Sequence, residues 1–175
     1  GNLVLSVNMP EAVRYFRLAA EAGDRISAWT LFNAYATGSH GVTVDPGNVL
    51  VVPGGKVTMF FAMLMFGEPG AEIIYPNPGF PIYESAIKFT GATAVPLPLL
   101  EENGFAFKAD ELLSLITPKT RLIILNSPAN PTGGTAAKEE IEKLVAGLTK
   151  HPNVALMSDE IYSEMLYDGR EHTSL

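Results

Sequence analysis

From Val49 onward, short runs of branched apolar residues alternate with stretches of helical periodicity, and this alternation restricts the possible folds more than any other feature of the chain. It is the pattern of a parallel sheet built through crossover helices. Candidate strands are Val49 to Val52, Glu72 to Tyr75, Thr93 to Leu97, Arg121 to Leu125 and Val154 to Met157. Several are apolar at successive positions, as expected of strands covered on both faces. Helices are expected at Lys56 to Phe66, Pro81 to Phe89, Ala109 to Ile116 and Ala136 to Leu148. Gly54-Gly55 opens the first, Lys108-Ala109-Asp110 leads into the third, and Thr135 stands as the cap of the last. The fold class read from this pattern is α/β.

Before Val49 the character changes. Two helical stretches, Glu11 to Ala22 and Ile26 to Ala36, meet at Gly23-Asp24 and are followed by a link punctuated by Gly and Pro as far as Pro46. Residues 1–45 are expected to form a helical region and residues 46–175 the α/β domain. Tyr15, Phe16, Ala19, Leu31 and Tyr35 recur at helical spacing and are expected to pack one helix on the other.

Composition removes several classes of function. The 175 residues are enough for one domain with a buried core, and 47% hydrophobic against 18% charged residues is the balance of a packed protein. Twelve Lys and Arg against nineteen Asp and Glu, a net charge of −7, leave no basic cluster able to grip the phosphates of a nucleic acid. The absence of cysteine excludes disulfides, thiolate nucleophiles and cysteine-based metal sites, so a reducing cytoplasm is the expected setting and no metal is expected. The longest apolar run, Val57 to Phe66, is about half a bilayer span, and no leader or membrane segment is expected.

Polar residues concentrate where predicted strands end. Asn126-Ser127-Pro128-Ala129-Asn130-Pro131-Thr132-Gly133 follows an apolar strand, at the end where open α/β sheets bind ligands. Its prolines stiffen the backbone and present the Asn130 amide, although Asn-Pro is also common in purely structural turns. Ser158-Asp159-Glu160-Ile161-Tyr162 again follows a strand, with an acid and a phenol three residues apart; such an Asp is often no more than a helix cap. Pro53-Gly54-Gly55-Lys56 joins a strand to a helix whose free N–H groups suit a phosphate, or it serves a tight turn with no ligand. In Pro76-Asn77-Pro78-Gly79-Phe80-Pro81-Ile82-Tyr83, Phe80 stands just before a helix, placed either to cover a flat ring or to join the core. Together these suit a planar, phosphorylated heterocycle with a basic nitrogen and a phenolic oxygen.

Over about Gly41 to Leu175 the chain resembles the fold-type I pyridoxal-phosphate enzymes, specifically the class I and II aminotransferases. The resemblance is carried by Asn130-Pro131-Thr132-Gly133 and Asp159-Glu160-Ile161-Tyr162, supported by Gly54-Gly55-Lys56 and Pro78-Gly79-Phe80-Pro81-Ile82-Tyr83. It implies a three-layer sandwich with a mostly parallel sheet, an incomplete version of the family's large domain, and pyridoxal 5'-phosphate as cofactor. It also implies amino-group transfer between an amino acid and a 2-oxo acid, in a biosynthetic process. A homo-oligomer is expected separately, because losing half of a domain uncovers surface that self-association would cover. By motif, Asp159 resembles the carboxylate that pairs with the pyridinium nitrogen, and Asn130 and Tyr162 the partners of the phenolic oxygen. Phe80 resembles the aromatic residue stacked on the ring, and Gly55 and Lys56 part of the phosphate cradle.

The family's Schiff-base lysine lies a few dozen residues after the Asp-Glu-Ile-Tyr run, in a Ser-rich segment, and the sequence stops at Leu175. None of Lys56, Lys88, Lys108, Lys119, Lys138, Lys143 or Lys150 has that context, so no catalytic residue is assigned. The expectation is a truncated aminotransferase, inactive alone. The alternative is a non-catalytic interaction or assembly module derived from such a fragment. A second resemblance, through Ala12, Tyr15-Phe16, Ala19-Ala20, Gly23-Asp24, Ala28, Leu31, Tyr35, Gly38 and Gly41-Val42, is to a single Sel1-like repeat, a helical hairpin that mediates protein contacts.

Overall fold

The computed structural model describes residues 50–175. The expected helical region 1–45, and with it the Sel1-like reading, lies outside the described residues. Two compact units divide the chain between Thr58 and Met59.

The unit from Met59 to Leu175 is built on four parallel strands: β1 (Glu72–Asn77), β2 (Thr93–Pro98), β3 (Thr120–Asn126) and β4 (Ala155–Asp159), in the order β2-β1-β3-β4. Helix α1 (Gly55–Phe66) precedes the sheet, and α2 (Ile82–Phe89), α3 (Ala109–Ser114) and α4 (Lys138–Leu148) are the crossovers between its strands. The α/β reading and its parallel sheet are thus observed.

Alternation along the central strands sorts the core into two layers. Ile73, Tyr75, Leu122 and Ile124 face Met63 of α1 and Tyr83, Ala86 and Ile87 of α2. Ile74, Ile123 and Leu125 face Ala109 and Leu112 of α3 and Ile141 and Leu144 of α4. Successive side chains of a strand point to opposite faces, so a run apolar at every position is what a doubly covered strand requires. The chain leaves β1 over one face and β3 over the other. That makes the gap between β1 and β3 a topological switch point, and their carboxyl ends the place where a ligand crevice forms.

Local details differ from expectation at the starts of several elements. Leu50 to Val52 form no strand, and Leu50 is 83% exposed; the Val52 carbonyl instead accepts the Gly54 N–H at 2.9 Å, closing the turn before α1. The α4 cap is Ala137, two residues past Thr135, and no side chain caps it. The amino terminus of α3 is capped from a distance, the Glu140 carboxylate of α4 accepting the Ala109 N–H at 2.6 Å.

Candidate functional site

Three strand ends supply the site. In the β3–β4 ladder Asn126 is in register with Asp159, so the last residues of these strands lie side by side. Asn126 is buried, and its amide bonds in two directions: Nδ2 donates to the Asp159 carbonyl at 2.9 Å, and Oδ1 accepts the Asn130 N–H at 2.7 Å. The loop after β3 is closed on itself by the Gly133 N–H to the Ala129 carbonyl at 2.7 Å and the Ala129 N–H to the Gly134 carbonyl at 2.8 Å. Its base is held by the Ser127 Oγ, which accepts the Ala136 N–H at 2.9 Å. The prolyl bonds Ser127-Pro128 and Asn130-Pro131 are cis, as is Asn77-Pro78 in the loop after β1.

From this loop the Asn130 Nδ2 donates to the Tyr162 hydroxyl at 3.3 Å, joining residues of the two motifs that are 32 positions apart. Asp159, at the end of β4, is half-buried; its Oδ1 faces the Ile161 N–H at 3.4 Å, while Oδ2 accepts the Tyr83 hydroxyl at 2.5 Å. Tyr83 sits in the first turn of α2 and is wholly buried. Burial first, and then the hydrogen bond and charge of Asp159, push its phenol well above the ordinary range, so it remains a donor. Phe80, half-buried, meets the Tyr83 ring edge-on at 5.9 Å, and its carbonyl accepts the Tyr83 N–H at 3.0 Å.

Of the residues singled out in the sequence, Asn130, Tyr162, Asp159 and Phe80 therefore belong to one connected set. Asn130 and Tyr162 touch directly, and Asp159 and Phe80 are linked through Tyr83. Gly55 and Lys56 lie in the unit that ends at Thr58. There Gly54 adopts φ +95°, a left-handed conformation suited to glycine, and α1 begins at Gly55 with no acidic residue in its first turn. Gly55 and Lys56 are exposed. Sequence reading missed Tyr83 and Asn126 as site residues. Tyr83 follows Phe80 by three positions, which places both on one side of the helix start, and Asn126 is a polar residue ending an otherwise apolar strand.

Glu160 has a separate task. Its carboxylate accepts hydrogen bonds from the Ser158 hydroxyl at 2.7 Å and the Leu175 N–H at 3.1 Å, and pairs with His172 at 2.9 Å. Burial pushes the Glu160 carboxyl up, but the hydrogen bonds from His172, Ser158, Leu175 and Ser174 outweigh it and hold the group below its ordinary 4.5. A carboxyl depressed in the folded state contributes stability above its unfolded value and loses it as pH falls through the folded one. Glu160→Gln is accordingly expected to cost about 1 kcal/mol near neutral pH. Urea denaturation at pH 7 and at about pH 4 checks this, the gap between wild type and variant narrowing in acid.

The sequence matches the profile of the family "aminotransferase class I and II" over residues 16–175. It is 39% identical over 134 residues to the arginine–pyruvate transaminase AruH of Pseudomonas aeruginosa, covering 77% of this chain and 34% of that protein. It is 40% identical over 130 residues to an aspartate aminotransferase of Sulfurisphaera tokodaii, covering 73% and 32%. Among solved structures, the aspartate aminotransferase of Thermus thermophilus with maleate superposes with a TM-score of 0.73 at 29% identity, covering 93% of this chain and 45% of that one. The aspartate aminotransferase of Rhizobium meliloti gives 0.75 at 26% identity, covering 94% and 44%. The chain spans about a third of the length of these curated relatives. A match extending over most of the sequence, with the same parallel sheet beneath it, places this chain in the class I and II aminotransferase family, whose cofactor is pyridoxal phosphate.

Proposed function

We propose that this chain supplies the cofactor-holding part of an aminotransferase, which acts on an amino acid and a 2-oxo acid when complete. The observation that carries the reading is the convergence of Asn130, Tyr162 and Asp159 at the ends of β3 and β4, tied together by the two-way amide of Asn126. The donor set fits the group chemically. Asp159 offers a lone pair to a protonated ring nitrogen, Asn130 and Tyr162 offer N–H and O–H groups to a phenolate, and Phe80 offers an aromatic face. Within the unit that ends at Thr58, the turn at Gly54 and the N–H groups of Gly55 and Lys56, at a helix start with no acidic residue in its first turn, suit a phosphate by their own chemistry.

When bound, the ring of pyridoxal 5'-phosphate supplies an electron sink for a carbanion formed at the substrate's α-carbon. The residues of this chain serve that sink from its periphery. With the group bound, the Asp159 carboxylate would pair with a protonated ring nitrogen, and Asn130 and Tyr162 would stabilise negative charge on the ring oxygen. No lysine of this sequence is assigned the covalent link or the proton transfer at the α-carbon, so the 175 residues alone are expected to bind without turnover. The setting proposed is cytoplasmic, biosynthetic and homo-oligomeric.

Titration of the folded chain with pyridoxal 5'-phosphate, followed by calorimetry and absorbance, tests the reading. Saturable binding near one equivalent, without product when an amino acid and a 2-oxo acid are added, is the expected result. A folded sample that takes up no cofactor rejects it. One observation favours a second reading, an interaction or assembly module: Phe61 and Met65 of α1, and Phe89 of α2, are 58%, 77% and 73% exposed. The same titration separates the two, since such a module folds and associates without taking up cofactor.

A further inference from the structure

The geometry points to Tyr83 as a positioning residue for the cofactor's ring nitrogen, acting through Asp159; the inference rests on the cofactor reading above. Its hydroxyl donates to Asp159 Oδ2 at 2.5 Å across 76 positions of sequence, from a side chain that is fully buried. The ring belongs to an apolar cluster with Ile73, Ile87 and Ile124, where phenylalanine would pack equally well. Core packing therefore accounts for the ring and not for the oxygen.

The oxygen acts on the carboxylate. The contact to Oδ1, from the Ile161 N–H at 3.4 Å, is long and weak, so the hydrogen bond from Tyr83 is the strong constraint on the rotation of the carboxylate. By occupying Oδ2, Tyr83 leaves Oδ1 as the better acceptor for an incoming N–H⁺ and removes rotamers that would have to be given up on binding. A phenol is a weak acid, and this one is pushed further up by burial and by Asp159, so Tyr83 keeps its proton and acts as the donor that fixes the direction of the carboxylate. The Phe80–Tyr83 contact adds a second consequence, because the residue that orients the acid also buttresses the aromatic side chain proposed to cover the ring.

Tyr83→Phe removes the hydroxyl and keeps the ring, and a circular-dichroism melt close to that of wild type verifies the fold. Two probes are titrated into the full chain and into the variant: pyridoxal 5'-phosphate, labelled with ¹⁵N in the ring, and its 1-deaza analogue, in which C–H replaces the ring nitrogen. The variant is expected to bind the cofactor about tenfold more weakly, the cost of ordering on binding a carboxylate that Tyr83 no longer holds in one direction, with its ring ¹⁵N signal displaced toward the unprotonated position. Affinity for the deaza analogue is expected to be unchanged. Equal weakening toward both probes makes Tyr83 a structural residue only and overturns the inference, as does a variant with wild-type affinity and an unmoved ¹⁵N signal. Failure of the wild-type chain to bind either probe removes the cofactor reading itself, and this inference with it.

Discussion

Asp159→Asn is expected to weaken pyridoxal 5'-phosphate binding by roughly 1.5 to 3 kcal/mol, about ten- to a hundredfold, the worth of a hydrogen bond to a charged group. The substitution preserves volume and leaves the β4 backbone pairing intact, because the Asp159 carbonyl, not its side chain, accepts from Asn126 and Ser127. What changes is chemistry at the side-chain tip. With Tyr83 donating, an amide answers with its oxygen and turns its NH₂ outward, so that a donor stands where the carboxylate offered a lone pair. A donor repels a protonated ring nitrogen and accommodates a neutral one. Binding by the variant is therefore expected to strengthen as pH rises through the ionisation of the ring nitrogen, in contrast to the wild type. Calorimetric titrations across pH 6 to about 9 measure both effects, and a variant with undiminished affinity and the wild-type pH profile would remove Asp159 from the site.

The parts of this molecule legible in the sequence are those governed by local pattern. The central strands were readable because Ile73-Ile74 and Leu122-Ile123-Ile124-Leu125 are short runs, rich in branched residues and apolar at every position, as strands buried on both faces are. Their ends extend further than expected, through Asn77, Asn126 and Asp159, because these polar residues still pair with a neighbouring strand. Polarity at a strand end marks the loop in a sequence and the crevice in a structure. Pattern failed at Leu50 to Val52, where branched residues have no pairing strand, and at Thr135, which lies two residues before the helix cap. Tyr83 and Asn126 escaped notice for a different reason. Each acquires its role from a partner 76 or 33 positions away, and nothing in the neighbouring residues announces such a partner. The Asn130 and Tyr162 pair was legible only through the resemblance, since spacing alone left both motifs open to a structural explanation.

Gly134→Ala tests whether the loop that presents Asn130 depends on its neighbours. A Cβ at Gly134 would stand 2.4 Å from the Phe105 carbonyl oxygen, 2.6 Å from its carbon and 3.0 Å from the Gly104 oxygen. All three are backbone atoms in a turn that is itself constrained, Gly104 and Phe105 both having positive φ, so the turn has little freedom to yield. The loop must move instead. Gly134 holds the Ala129 N–H through its carbonyl, and the same loop fixes Asn130 to Asn126, so displacement passes directly to the amide that meets Tyr162. The expected cost is about 1 to 3 kcal/mol of stability, the usual penalty for overpacking. Cofactor affinity should fall together with it, although Gly134 itself is no proposed ligand. At Gly133, by contrast, an added Cβ meets nothing within 4 Å, and only its φ of +72° resists substitution. Gly133→Asn, which tolerates that conformation, should therefore be much milder than Gly134→Ala. Urea denaturation and cofactor titration of both variants decide the matter: equal effects at the two glycines would mean that the contact with residues 104 and 105 does not hold the loop in place.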